Sequence, residues 1–219
     1  MGCVTKAPFK QVELHSVNGI NPIQIKKDFA KKIPNKLQVL STVSFEYYWH
    51  SFYSLGYFER DLIKNSFTLV ALDPAGVRLF QITDNDDNVE YSCSIEELKK
   101  LAPFAEYISR DIKNIYFNDI PSNKAIISKE DCKIIFTESM KDDKIEYIFG
   151  GINNYLIEKV FLKKRSWFWR IFMGNYYRES SVGYYGYKTS NGKLYPENIL
   201  YKNIDLNYQL TIRLKDIML

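Results

Sequence analysis

The sequence predicts a mainly β chain with helices, of the α+β class, and three observations predict it. Aromatic residues make up 16% of the chain, with 17 Tyr and 14 Phe, and large flat side chains suit pleated, half-buried surfaces. Two blocks of sequence alternate apolar and polar residues with a period of two. Between them stands a block of helical period. Over 219 residues, 46% hydrophobic and 26% charged is the balance of a folded globule, which excludes disorder, collagen and coiled coil. The division expected is an N-terminal lead over 1–20 and a single domain over 21–219. No apolar run reaches the length of about 18 residues that a spanning helix needs. A net charge of +4 weakly suits anionic surfaces and predicts no nucleic-acid partner.

The elements follow in order. Asn21-Pro22 supplies a helix cap and a favourable first helical position. Ile23, Phe29, Ala30 and Ile33 then share a helical face until Pro34 stops it. From Leu37 the period becomes two, with Val39, Val43, Phe45, Tyr47 and Trp49 on one face and Ser41 among them. Polar residues dominate the other face as far as His50. A further strand is expected from near Tyr57, after Gly56. Phe67–Leu72 and Val77–Ile82 flank Asp73-Pro74-Ala75-Gly76, a type I turn pattern, and so form a hairpin. Asp84–Asn88 turns the chain into Val89-Glu90-Tyr91.

Ser94-Ile95-Glu96-Glu97 reads as a capping box. Pro103 opens a second helix, in which Phe104, Ile108 and Ile112 repeat every four residues. Strands resume at 133–137, 145–149 and 155–161. Asn191-Gly192 marks a tight hairpin. Pro196 is expected at the start or border of a strand, since it cannot donate to a ladder. Tyr208, Leu210, Ile212 and Leu214 alternate with polar neighbours as a half-buried final strand.

Little in the sequence argues for catalysis. The acidic turn at 84–88 begins like a calcium loop, but Val89 and Ile95 stand where Gly and Glu are needed. His15 and His50 are the only histidines, and phosphate loops, dinucleotide fingerprints, zinc motifs and nucleophile elbows are lacking. The expectation is a protein that is not an enzyme, with no cofactor and no metal. Cys93 and Cys132 read as inert, partly buried thiols.

Two segments stand out. Met1-Gly2-Cys3 is similar to the end of a bacterial lipobox, in which Cys3 is lipidated after a signal peptide is removed. Myristoylation of Gly2 and an unmodified chain start are the alternatives. The first has Lys6 where Ser or Thr is wanted. Lys163-Lys164-Arg165-Ser166-Trp167-Phe168-Trp169-Arg170-Ile171-Phe172-Met173-Gly174 sets cations among aromatics with no clean period. That is the composition of a membrane-interface anchor, making Trp167, Phe168 and Trp169 candidate membrane contacts. A buried strand or corner with basic flanks is the competing reading.

The hairpin from Phe67 to Ile82, with its Asp-Pro-x-Gly turn, resembles the first hairpin of LolB-like bacterial lipoproteins. Gly192, Leu194, Pro196 and Ile199, followed by Leu210-Thr211-Ile212, are similar to the ending of a largely uncharacterised branch of that family. The resemblance spans about residues 37–216. It implies an incomplete antiparallel β-barrel, a LolA/LolB-like half-barrel with helices covering its mouth. It also implies a lipid-anchored monomer at the periplasmic face of the outer membrane. Such a protein would take acyl chains of lipoproteins or other lipids into an apolar cavity and deliver them to that membrane.

A curved sheet that cannot close leaves its concave face needing an apolar filler, which helices or a lipid tail can supply. The face bearing Val43, Phe45, Tyr47 and Trp49, with Phe67 and Leu69 beside it, is the candidate lining. A dry core under the helices fits the same alternation. A structural or assembly lipoprotein acting through its surface is the alternative function.

Overall fold

The computed structural model describes residues 8–47, 50–86, 88–93 and 104–218. Helix α1 (Pro22–Lys32) leads into β1 (Lys36–Tyr47), β2 (His50–Asp61), β3 (Ser66–Leu72), β4 (Arg78–Asp84) and β5 (Val89–Cys93). Helix α2 (Phe104–Tyr116) follows, then β6 (Ile126–Glu130), β7 (Lys133–Met140), β8 (Asp143–Gly150) and β9 (Tyr155–Lys164). A short helix α3 (Trp167–Met173) connects to β10 (Tyr176–Ser190), β11 (Lys193–Asn203) and β12 (Tyr208–Met218).

All 12 strands belong to one antiparallel sheet in the order β5-β4-β3-β2-β1-β12-β11-β10-β9-β8-β7-β6. Neighbours in sequence pair by hairpins, and the first and last strands close the middle, with Val43 opposite Ile212 and Phe45 opposite Leu210. Strands β5 and β6 are the two edges and do not pair with each other. The sheet is therefore an incomplete barrel. Register shifts at Leu40/Ser41, Ala71/Leu72, Ile148/Phe149 and Arg178/Ser180 mark bulges, which bend strands and increase their twist.

The alternation expected for β1 is present: Leu37, Val39 and Ser41 are buried while the residues between them are less so. With Phe58, Phe67, Ile82, Ile134 and Ile199 they form the core on the inner face. Helix α2 lies over that face, burying Ile112, Ile115 and Tyr116, with the Tyr116 ring stacked 4.2 Å from that of Phe58. Helix α1 is capped as expected, Asn21 Oδ1 accepting from the amides of Ile23 and Gln24. Its buried anchor is Phe29, edge-on to Phe149 and Tyr187. Ile23, expected on that face, is half exposed, and Ile25 packs in its place. Near its end the lead is anchored, since Val17 is buried and its amide donates to the Asp131 carbonyl.

Several expectations about local structure are corrected. The first strand does not run to His50: β1 ends at Tyr47, and His50 pairs with Tyr47 as the first residue of β2. Strand β2 likewise does not wait for Tyr57. Gly56 sits mid-strand opposite Ser41, where an added Cβ would stand 3.1 Å from Ser41 Oγ and 3.2 Å from Val43 Cγ2. It is a close-approach glycine, not a break. Pro196 lies inside β11, opposite Tyr187. Pairing with β12 begins only at Asn198, so the missing donor falls where one flank of β11 is unpaired. The capping box at Ser94 lies outside the described residues.

Candidate functional site

The hairpin topology sorts the connections to two ends of the sheet. One end carries β1–β2, β3–β4, β7–β8, β11–β12 and the α3 connection from β9 to β10. The other end is covered by α1, through Phe29 against Phe149, Tyr155 and Tyr187. At the first end, between the sheet and the last turns of α2, is a cavity of about 590 Å³. Its inner wall is Ile145 and Tyr147 of β8, Phe161 of β9 and Tyr201 of β11, with Phe117 above. Met140 stands at its rim, more than half exposed.

Beneath the cavity a buried polar cluster fixes α2. The carbonyls of Ile115, Tyr116 and Phe117, at the helix C-terminus, accept from Tyr184 Oη (2.7 Å), Arg60 Nη1 and Lys159 Nζ (2.8 Å). Cations there satisfy orphan carbonyls and oppose the helix dipole. Asp119 lies 2.8 Å from Lys159 and 3.6 Å from Arg60. Two buried cations thus share one carboxylate. Burial lowers the pKa of Lys159, with Asp119 opposing that shift.

Further along α2, Asp111 accepts from Tyr201 (2.7 Å) and Tyr208. Burial raises its pKa, and the two phenols oppose the rise. Asp84, at the end of β4, accepts from Ser109 Oγ and pairs with Lys113 at 3.0 Å. Burial acts to raise its pKa, but Ser109, Lys113 and the Asp86 amide together bring it below the ordinary carboxylate value. These contacts make α2 a helix held by polar pins over an apolar floor.

The cavity rim is basic. Arg110 and Lys113 on α2 and Lys141 of the β7–β8 connection line it, while Asp143 and Glu179 are the carboxylates of the lining. Lys144 lies 4.3 Å over the Tyr176 ring, at the start of β10.

The described residues among those expected as lining do not border this cavity. Phe67 is buried in the core against Phe58 and Phe117, and Leu69 packs partly buried against that core. Phe45 lies between Tyr47 and Tyr208. Val43 borders a separate groove of about 680 Å³, whose other walls include Thr42, Ser44, Glu46 and Arg213 on the opposite face of the sheet. Trp49 and Cys3 lie outside the described residues. Strands β8 and β9 were legible in the sequence, but nothing there says which inward face borders empty space. Cys93 and Cys132 are half-buried, and Cys93 Sγ donates to the Leu79 carbonyl at 3.5 Å.

The segment at 163–174 is neither a buried strand nor a corner: it contains α3, with Trp167 70% exposed and Phe168 and Met173 more than half exposed. Ile204 and Leu206, in the β11–β12 connection, are exposed at the same end. Arg165 stacks on Tyr177, and Lys164 pairs with Asp142. No helix among the described residues is long and apolar enough to cross a membrane. Nor does any group of three or more potential metal ligands occur among them.

No family model and no curated protein matches the chain. Solved structures do. A LolA superfamily protein from Nitrosomonas europaea aligns with a TM-score of 0.55 at 8% identity, covering 92% of this chain and 94% of its own. A putative outer membrane lipoprotein-sorting protein domain from Vibrio parahaemolyticus gives 0.54 at 11%, covering 90% and 91%. A DUF1329 family protein from Desulfovibrio piger gives 0.56 at 8%, covering 89% and 90%. At such identities the likeness is one of fold, and the fold of this chain is the unclosed, LolA-like antiparallel sheet with helices on its inner face.

Proposed function

We propose that the protein is a lipid carrier, which holds acyl chains of lipoproteins or other lipids in the cavity under α2 and delivers them to the outer membrane. The observation that carries this reading is the cavity of about 590 Å³ with Ile145, Tyr147 and Phe161 on its floor. Its size falls in the usual range of roughly 300–1,000 Å³ for small-molecule sites. Each methylene moved from water onto such a floor contributes about 0.8 kcal/mol, so a long chain binds without any polar contact. The lipoprotein-sorting domain among the fold neighbours supports the same class of cargo. Titration with a fluorescent long-chain fatty acid tests the reading. Saturable binding of about one chain per protein is expected, and absence of binding would remove it.

Delivery needs contact with a bilayer, and we assign that to the end bearing Trp167, Phe168 and Trp169. Aromatic rings settle at headgroup depth and neighbouring cations favour anionic lipids. The double variant Trp167→Ser/Phe168→Ser is expected to lower co-flotation with phosphatidylglycerol-containing vesicles by about tenfold, since two large apolar contacts are lost. Unchanged flotation would show that contact is made elsewhere. Lipidation of Cys3 would add a tether at the periplasmic face of the outer membrane. The lining role of Val43, Phe45, Tyr47, Trp49, Phe67 and Leu69 then belongs to a wider opening of the same sheet, with α2 displaced. The domain over 21–219, preceded by the 1–20 lead, acts as one monomeric unit. A structural lipoprotein acting through its surface would use the same exposed aromatics and bind no chain.

A further inference from the structure

We infer that the cavity selects chains that end in an anionic headgroup, a carboxylate or a phosphate, held at its basic rim by Lys141 and Arg110. This rests on the carrier reading and adds the chemistry of the ligand's polar end. The apolar floor and the cations occupy different depths. Ile145, Tyr147 and Phe161 line the wall, whereas Lys141 lies in the β7–β8 connection and Arg110 on α2. A single-chain amphiphile laid along the floor brings its head to those cations.

In the lining, cations outnumber carboxylates. Of the two carboxylates in the lining, Glu179 lies 3.4 Å from Lys163, outside the cavity, and Asp143 accepts the Lys164 amide. Lys113 is held by Asp84 at 3.0 Å. Arg110 faces Asp111 only at 3.9 Å, and Asp111 is engaged by two phenols. Lys144 rests over the Tyr176 ring on the outer face of the sheet, and among the described residues Lys141 has no ion-pair partner. Deeper in, Lys159 is committed to Asp119 and the Phe117 carbonyl. An incoming anion therefore meets cations without displacing a strong internal partner. Arg adds a planar fork that matches carboxylate and phosphate oxygens.

The test is competition against a bound fluorescent fatty acid by ligands of one chain length that differ only at the head: carboxylate, lysophosphatidate, alcohol and trimethylammonium. Inorganic phosphate is a further arm. The carboxylate and lysophosphatidate are expected to bind at least tenfold more tightly than the alcohol, and the trimethylammonium more weakly still. That preference should shrink in high salt, because exposed charges are screened, and fall to threefold or less in Arg110→Gln/Lys141→Gln. Inorganic phosphate alone should displace nothing, because it lacks the tail. Equal affinity for acid and alcohol would overturn the headgroup inference and leave the carrier reading standing. Failure of every chain to bind would overturn both. Displacement by inorganic phosphate at similar concentration would instead make the rim a free-anion site and overturn the amphiphile.

Discussion

Replacing Arg60 by Met is expected to destabilise the fold by about 3–5 kcal/mol, the range found when one partner of a buried, hydrogen-bonded charge cluster is removed. Arg60 is 3% exposed. It donates to the Tyr116 carbonyl and, at 2.9 Å, to the Pro34 carbonyl, and it faces Asp119. Met fills much of the space but leaves the Tyr116 and Pro34 carbonyls without their Arg60 donor and Asp119 with Lys159 as its cationic partner. An unsatisfied buried group costs about 1–3 kcal/mol each. For a chain of this size a loss of 1 kcal/mol lowers the melting temperature by about 2–4 °C, so a fall near 10 °C is expected. Arg60→Lys keeps the charge without the fork, and should lie between Met and wild type. Thermal and urea unfolding measure it. A loss below about 1 kcal/mol, the worth of an ordinary exposed pair, would mean that α2 does not depend on this pin.

The second large effect is on binding. Ile145→Glu puts a carboxylate on the cavity floor, beside Phe161, its register partner on β9. A bound chain must then avoid that stretch. If about three methylenes lose their contact at 0.8 kcal/mol each, the loss is about 2.4 kcal/mol. That corresponds to roughly a 50-fold weaker complex. A chain with an anionic head should lose more than its alcohol counterpart, because the new charge repels it. The neutral Ile145→Gln variant separates polarity from charge and should lose less. Ile145 is only partly buried at the core margin, so the variants should fold, with thermal unfolding as the control. Wild-type affinity in a folded Ile145→Glu protein would place the chain elsewhere.

Much of the fold was legible because a period of two writes itself into the chain. The alternation of β1 and β12 and the turns at Asp73–Gly76 and Asn191-Gly192 need only local chemistry, and the cap at Asn21 is equally local. What was not legible depends on partners far away in sequence. Gly56 looks like a break until Ser41 and Val43 stand across from it. His50 looks like a strand end because the reversal before it leaves no gap in the aromatic run. The segment at 163–174 shows no period because α3 is a single short helix, with Trp167, Phe168 and Met173 exposed.

The site was hardest to read. Arg60, Lys159 and Asp119 come from β2, β9 and the segment after α2. In sequence each is one charged residue among many. Only the docking of α2 turns them into a buried cluster. The same docking decides that Phe67 is core while Phe161 faces a cavity. Alternation marks inward residues equally in both cases, and where the helix lies is a tertiary fact.

The most direct measurement is photo-crosslinking with a fatty acid that carries a diazirine near the middle of its chain, followed by peptide mapping. The account predicts that the label falls on β8 and β9, at or beside Ile145, Tyr147 and Phe161, and that excess unlabelled fatty acid suppresses it. Labelling confined to the opposite face of the sheet, around Thr42, Ser44 and Arg213, or none at all at saturating ligand, would contradict it.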